Sequence, residues 1–329
     1  METIYGIISD VHSRPDSVPA AISALKNLGA QKLIVNGDIG ISGDMYDSWE
    51  YTSNILEAIG KSNLPAYVQP GSHETYFGYS PIVKAAAAAF PNIISTLEEN
   101  VFNEDGHSLF FIPGSDSHAG GEFSFGNQAK TGLYMNTEYN TIPCTDETFF
   151  ILLKKGIAKS VSYYTNIEDS ASRITNPEKT IAVCHVPRKF ENIDTCVDYA
   201  YFAQGKDGRI IPGKILEEAA KEKFQNPTPE QIVEFALENG FELKRENRGN
   251  ELLKLLYENL GITKALSAHF HESAGRANNL SGGHVDEEAY SAELFWNSGC
   301  IEDGTFGILA VSDDMVKYRN LDLKDFERY

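Results

Sequence analysis

Five short apolar runs in this 329-residue chain each end on residues that bind metal ions or move protons. Residues 4–9 lead into Asp10 and His12, residues 32–36 into Asp38, and residues 66–69 into His73. Residues 180–184 lead into His185, and residues 266–268 into His269 and His271. Runs of this length bounded by turn residues predict buried strands, and in α/β sheets ligands bind beyond the carboxyl ends of strands. Residues two apart on extended chain share a face, so Asp10 can aim with His12, and His269 with His271, at one cluster. Imidazoles mixed with carboxylates suit first-row divalent ions such as Mn, Fe, Zn or Ni, whereas all-oxygen sites suit Mg or Ca. Asp38, with two carboxylate oxygens, is the natural bridge between two such cations about 3.5 to 4 Å apart.

Ser9-Asp10-Val11-His12, Gly37-Asp38, Gly71-Ser72-His73-Glu74, Cys184-His185 and Ala268-His269-Phe270-His271 follow one another along the chain. In this order they resemble the motifs of the calcineurin-like metallophosphoesterases, D-x-H, G-D, G-N-H-[DE], H and G-H-x-H. Each piece alone is weak, but the combination is specific and spans residues 10 to 271. The resemblance implies a single domain over residues 1–329, an α/β fold of two packed mixed β-sheets flanked by helices, and a phosphate ester hydrolysed by a hydroxide bridging two divalent cations. It assigns Asp10, His12 and His271 to one ion, Asp38 to the bridge, and His185 with His269 to the second ion. His73 would act catalytically beside the scissile phosphate, with Glu74 or a backbone carbonyl orienting its ring. Ser72 stands where the family has an asparagine that ligates the second ion, and Ala268 where it has glycine. Serine is shorter and ends in a neutral hydroxyl, so a weaker second site is expected.

These residues need rigid elements behind them. The first third reads as strand and helix in alternation, with helices over residues 16–28, 44–60 and 79–90, the grammar of a covered parallel sheet. From Asn92 the pieces shorten to hairpin-like strands, 101–102 and 108–112, around Asp105-Gly106. Residues 114–145, rich in Gly, Ser, Asn and Thr, read as an irregular lid or binding loop. A helix is expected over 147–159, and residues 191–248 read as a helical insertion covering the site. Within it, Thr228-Pro229-Glu230-Gln231 is a capping box with proline at the first helical position. A helix over 251–260 precedes the last strands, near 265–268, 292–296 and 306–312.

Hydrophobic residues at 42% and charged residues at 23% describe an ordinary globular protein. The net charge of −19 disfavours long nucleic acid and anionic membranes as partners. The four cysteines show no C-x-x-C spacing, so reduced thiols and a cytoplasmic location are expected. No secretion signal is read at the N-terminus, and no apolar stretch approaches the roughly 20 residues a bilayer needs. The expected partner is a small phosphorylated substrate, a phosphodiester or nucleotide-like compound, and nothing in the sequence specifies a protein partner. A phosphomonoesterase or protein phosphatase would share the same metal core, and Ser72 leaves room for a catalytically weak scaffold. Arg188, Arg276 and His118 are the candidates for substrate phosphate contact, the arginines through bidentate guanidinium pairing.

Overall fold

Strand Thr3–Ile8 lies inside a sheet because both of its faces are apolar. Tyr5 and Ile7 enter a core shared with a second sheet, while Ile8 enters a core shared with helices. Gly6 lets the first helix approach, since a Cβ there would lie 2.7 Å from Leu25 Cδ1. The computed structural model describes residues 2–40, 45–116 and 121–326.

The first sheet runs Met315–Asp322, Thr305–Ser312, Thr3–Ile8, Lys32–Asn36, Ala66–Gln69, Ile93–Ser95. Its last four strands are parallel and the first two antiparallel. The second sheet runs Ala277–Asn278, Leu294–Asn297, Lys264–Ser267, Thr180–Cys184, Ser108–Ile112, Val101–Asn103, with its four inner strands parallel. The two sheets face each other across Tyr5, Ile7, Ile34 and Tyr67 on one side and Phe111, Val183, Leu266 and Trp296 on the other. Helices Val18–Asn27, Met45–Ser62 and Tyr76–Ala89 cover the outer face of the first sheet, and Glu251–Leu260 that of the second. This is the expected α/β arrangement of two packed mixed sheets flanked by helices. No helix among the described residues is long and apolar enough to cross a membrane.

Three differences from the sequence reading matter for the site. The stretch read as an irregular loop carries strands Phe123–Gly126, Gly132–Asn136 and Thr141–Pro143, which join Ser160–Asn166 in a four-stranded sheet. Phe123 and Met135 anchor this sheet in the core. The helix read as reaching residue 159 ends at Lys154, because Gly156 takes a positive φ of 70° and the chain turns into a strand. The insertion is not purely helical. Strands Ile210–Pro212, Tyr199–Gly205 and Phe241–Asn247 accompany helices Gly213–Phe224 and Pro229–Glu238 around a small core of Ala203, Leu216 and Ala236. The capping box forms as expected, with Thr228 and Gln231 bonding each other's backbone N–H.

Candidate metal centre

The carboxyl ends of the parallel strands of both sheets bring Asp10, His12, Asp38, His73, His185, His269 and His271 together in three overlapping sets of potential donors. Within each set the donor atoms lie no more than 4.8 Å apart, and the sets are Asp10–His12–His271, His12–Asp38–His73 and Asp38–His185–His269. Four of the seven, Asp10, His12, Asp38 and His269, sit at φ between 43° and 68°, in the left-handed region. That conformation is uncommon for a side chain other than glycine, and its clustering at functional sites is a known pattern. The chain leaves each strand and turns sharply, so that the side chain points back across the sheet ends.

Each carboxylate is held by one oxygen and offers the other. Asp38 Oδ1 accepts from the backbone N–H of Ser72 at 2.5 Å and His73 at 2.9 Å, while Oδ2 faces His185 Nε2 at 3.0 Å and His12 and His73 at 3.8 Å. Asp10 Oδ2 accepts from His269 N–H at 3.2 Å, while Oδ1 faces His271 at 3.4 Å and His12 and His185 at 3.7 Å. His185 Nδ1 bonds the Asn36 carbonyl at 2.8 Å, which turns Nε2 towards the carboxylates.

Asp10 Oδ1 and His185 Nε2 are buried and make no hydrogen bond. Unpaired buried polar atoms are costly, and a divalent cation between imidazole and carboxylate would satisfy both. The donor set therefore fits divalent metal. Electrostatics agree. Burial opposes the charge on Asp10 and Asp38, yet His185 and the other imidazoles hold both carboxyls well below their ordinary range. Burial and the neighbouring His185 together push His269 down to about 4, leaving a neutral ligand.

The loops pack backbone to backbone. A Cβ on Gly71 would lie 2.3 Å from Asp38 Oδ1, and one on Gly37, at φ 81°, would lie 2.6 Å from Gly71 Cα. Glycine is required at both positions for Asp38 to reach the cluster. Glu74, expected to orient the His73 ring, instead clamps these loops. Its Oε1 accepts from Ile39 N–H at 2.6 Å and Gly40 N–H at 3.3 Å, and Oε2 from Gly71 N–H at 2.7 Å. Glu74→Ala strips an acceptor from these buried donors, and the metal-free protein is expected to lose on the order of 3 kcal/mol. Glu74→Gln, which keeps one acceptor oxygen, should lose less. Urea unfolding measures both, and an unchanged midpoint for Glu74→Ala would remove the clamp.

Ser72 reaches the cluster, but its Oγ donates to Asp38 Oδ2 at 2.9 Å and lies 3.3 Å from His269 Nδ1. Arg188, read from the sequence as a candidate phosphate contact, points into the protein interior, where its Nη1 makes no hydrogen bond. It is buried, pairs with Glu258 at 2.9 Å and packs its guanidinium over Phe190 and Phe295, because the chain after His185 turns into the outer core. Arg276 is likewise engaged, donating to the Ile193 carbonyl at 2.9 Å and stacking on Tyr199 at 4.3 Å, which ties the insertion down. His118 lies outside the described residues. His107 is structural, bonded to Tyr5, and His284 is exposed beside Asp286. The sequence reading missed Cys300 and Asp303, which group with His271. Both follow strand Leu294–Asn297, so the strand-end criterion that found the other clustered residues would have reached them.

Neither a protein-family model nor a curated protein sequence matches the chain. Among solved structures, TT1561 of Thermus thermophilus aligns over 98% of this chain and 100% of its own, with 8% identity and a TM-score of 0.53. A dimetal phosphatase from Danio rerio aligns over 98% of this chain and 99% of its own, with 10% identity and a TM-score of 0.47.

Proposed function

We propose that the chain is a metal-dependent phosphoesterase acting on a small phosphodiester or nucleotide-like substrate. One observation carries the reading. Each of two buried carboxylates is pinned by backbone N–H through one oxygen and turns the other towards imidazoles from several loops. Asp10, His12 and His271 would hold one cation and His185 with His269 a second, Asp38 being shared, and Mn, Fe, Zn or Ni would suit these donors. Divalent cations bound there supply Lewis acidity, acidifying water towards neutrality and offsetting charge on phosphoryl oxygens. The motif order on these same residues points to a phosphate ester as the electrophile.

His73 is the residue of the cluster left to meet substrate. Its side chain is 38% exposed, against 12% for His12 and 0% for His185. Burial pushes its pKa below the ordinary histidine value, so at neutral pH the ring is uncharged and offers one N–H. That N–H can bond a phosphoryl oxygen, and an anionic substrate beside it would favour protonation and then proton donation to the leaving oxygen. The net charge of −19 favours a small substrate over a polyanion.

A scaffold reading is favoured by the hydrogen bond that Ser72 Oγ makes to Asp38 Oδ2, which occupies a donor of the second set. Hydrolysis of an aryl phosphodiester and an aryl phosphomonoester, with bound metal counted in the same samples, separates the readings. Chelated protein is expected to be inactive and manganese to restore turnover, with the diester preferred. Metal-loaded protein inert towards both esters with Mn, Fe, Zn and Ni would leave the scaffold standing.

A further inference from the structure

The ring of His271 has a carboxylate facing each of its nitrogens. Nε2 lies 3.4 Å from Asp10 Oδ1, and Nδ1 lies 3.8 Å from Asp303 Oδ2, an ion-pair distance. Asp303 uses its other oxygen on the insertion, where Lys214 Nζ in helix Gly213–Phe224 donates to Oδ1 at 3.1 Å. The insertion is rooted on the segment that follows His271. Ser273 Oγ donates to the Val197 carbonyl at 2.6 Å, and Val197 N–H donates to Asn278 Oδ1 at 3.0 Å. Beside these, Cys300 Sγ donates to the carbonyl of Asp10 at 3.5 Å, which places the loop carrying Asp303 against the same ligands.

We infer that Asp303 is a positioning residue for His271, and that Lys214 makes the insertion part of this support. The inference rests on reading Asp10, His12 and His271 as a cation site. A ligating histidine needs a partner on its second nitrogen to fix the tautomer and ring orientation, and a carboxylate there also raises its basicity. His185 takes that partner from the Asn36 carbonyl; at His271 the Asp303 carboxylate, which the insertion in turn holds, lies 3.8 Å from Nδ1, at ion-pair rather than hydrogen-bond distance, with Cys300 beside it. The ammonium of Lys214 beside Asp303 argues against a further cation at the His271–Cys300–Asp303 group. Asp303 and Lys214 are 37% and 62% exposed, and exposed pairs contribute little to folding, so a merely structural role would leave almost no trace when either is replaced.

Calorimetric titration of the full chain with Mn²⁺ tests this. Asp303→Asn is expected to weaken one of two binding steps by about 10–100-fold and to leave the other and the metal-free melting temperature unchanged. Lys214→Met should shift the same step by less, and Asp303→Glu should recover part of the loss. In zinc-loaded protein the His271 Nδ1–H resonance should move in Asp303→Asn while that of His185 stays in place. Wild-type affinities in Asp303→Asn, or loss of a third cation equivalent with it, would overturn the inference while leaving the metal centre intact. A wild-type chain that binds no Mn²⁺ would overturn the metal centre and the inference together.

Discussion

Replacing His73 by alanine is expected to leave the bound cations in place and to slow turnover by about 10²–10⁴-fold. The backbone N–H of residue 73 that steadies Asp38 Oδ1 at 2.9 Å survives the substitution, so the Asp38 carboxylate keeps its orientation. The ring itself lies against His12, with centroids 4.9 Å apart at 80°, and is more exposed than those of His12, His185 and His271. On the proposed role, what is lost is an N–H for the substrate and a nearby proton carrier rather than a structural partner. Metal analysis and steady-state rates on one preparation check it. Undiminished turnover would take the catalytic role from His73. Loss of a cation would instead make it a ligand of the His12–Asp38–His73 set.

Raising the pH from about 6.5 to about 10 is expected to lower the unfolding temperature of the metal-free protein. Burial works against the charge on His185, but the Asp38 and Asp10 carboxylates outweigh it and raise the pKa from the ordinary 6.5 to about 10. The folded state thus keeps a proton that the unfolded chain releases. That stabilisation is complete below about 6.5 and disappears as pH rises through about 10. His271 acts in the same sense, raised to about 12 against burial by its contacts with Asp10 and Cys300.

Between about 4 and 7 two groups oppose each other. Burial and the Asp38 charge raise Glu74 to about 7, so its contribution falls with rising pH. His269, lowered to about 4, adds stability over the same interval. Saturating Mn²⁺ should reverse the trend above about 6.5, because imidazoles must be neutral to ligate and protons compete with the metal. Melting curves from about pH 6.5 to 8.5, with chelator and with Mn²⁺, decide the matter. A flat metal-free profile would mean that the imidazoles do not stand in for cations.

The candidate metal ligands were legible because each belongs to a local pattern. An apolar run long enough for one strand, followed by a turn residue and an Asp or His, is written in under ten consecutive residues, and parallel strands then carry such ends to one rim. The helices behind the first sheet were readable for the same reason, and so was the capping box at Thr228. Arg188 and Arg276 show where local reading stops. Both lie a few residues beyond a ligand, yet Arg188 turns into the outer core and Arg276 reaches the insertion, because their partners are Glu258 and the Ile193 carbonyl. Nothing near them in the chain announces those partners. Likewise Glu74 became a clamp rather than a guide for His73 once Gly37 and Gly71 packed together.

Residue type and strand position set which groups arrive at the rim. Which carboxylate oxygen is pinned, which ring nitrogen is left unpaired, and the place of Asp303 behind His271 depend on contacts between loops far apart in sequence. Those contacts exist only after the two sheets have stacked, since their register is set by long-range packing across Tyr5, Ile7, Leu266 and Trp296 rather than by any short-range preference.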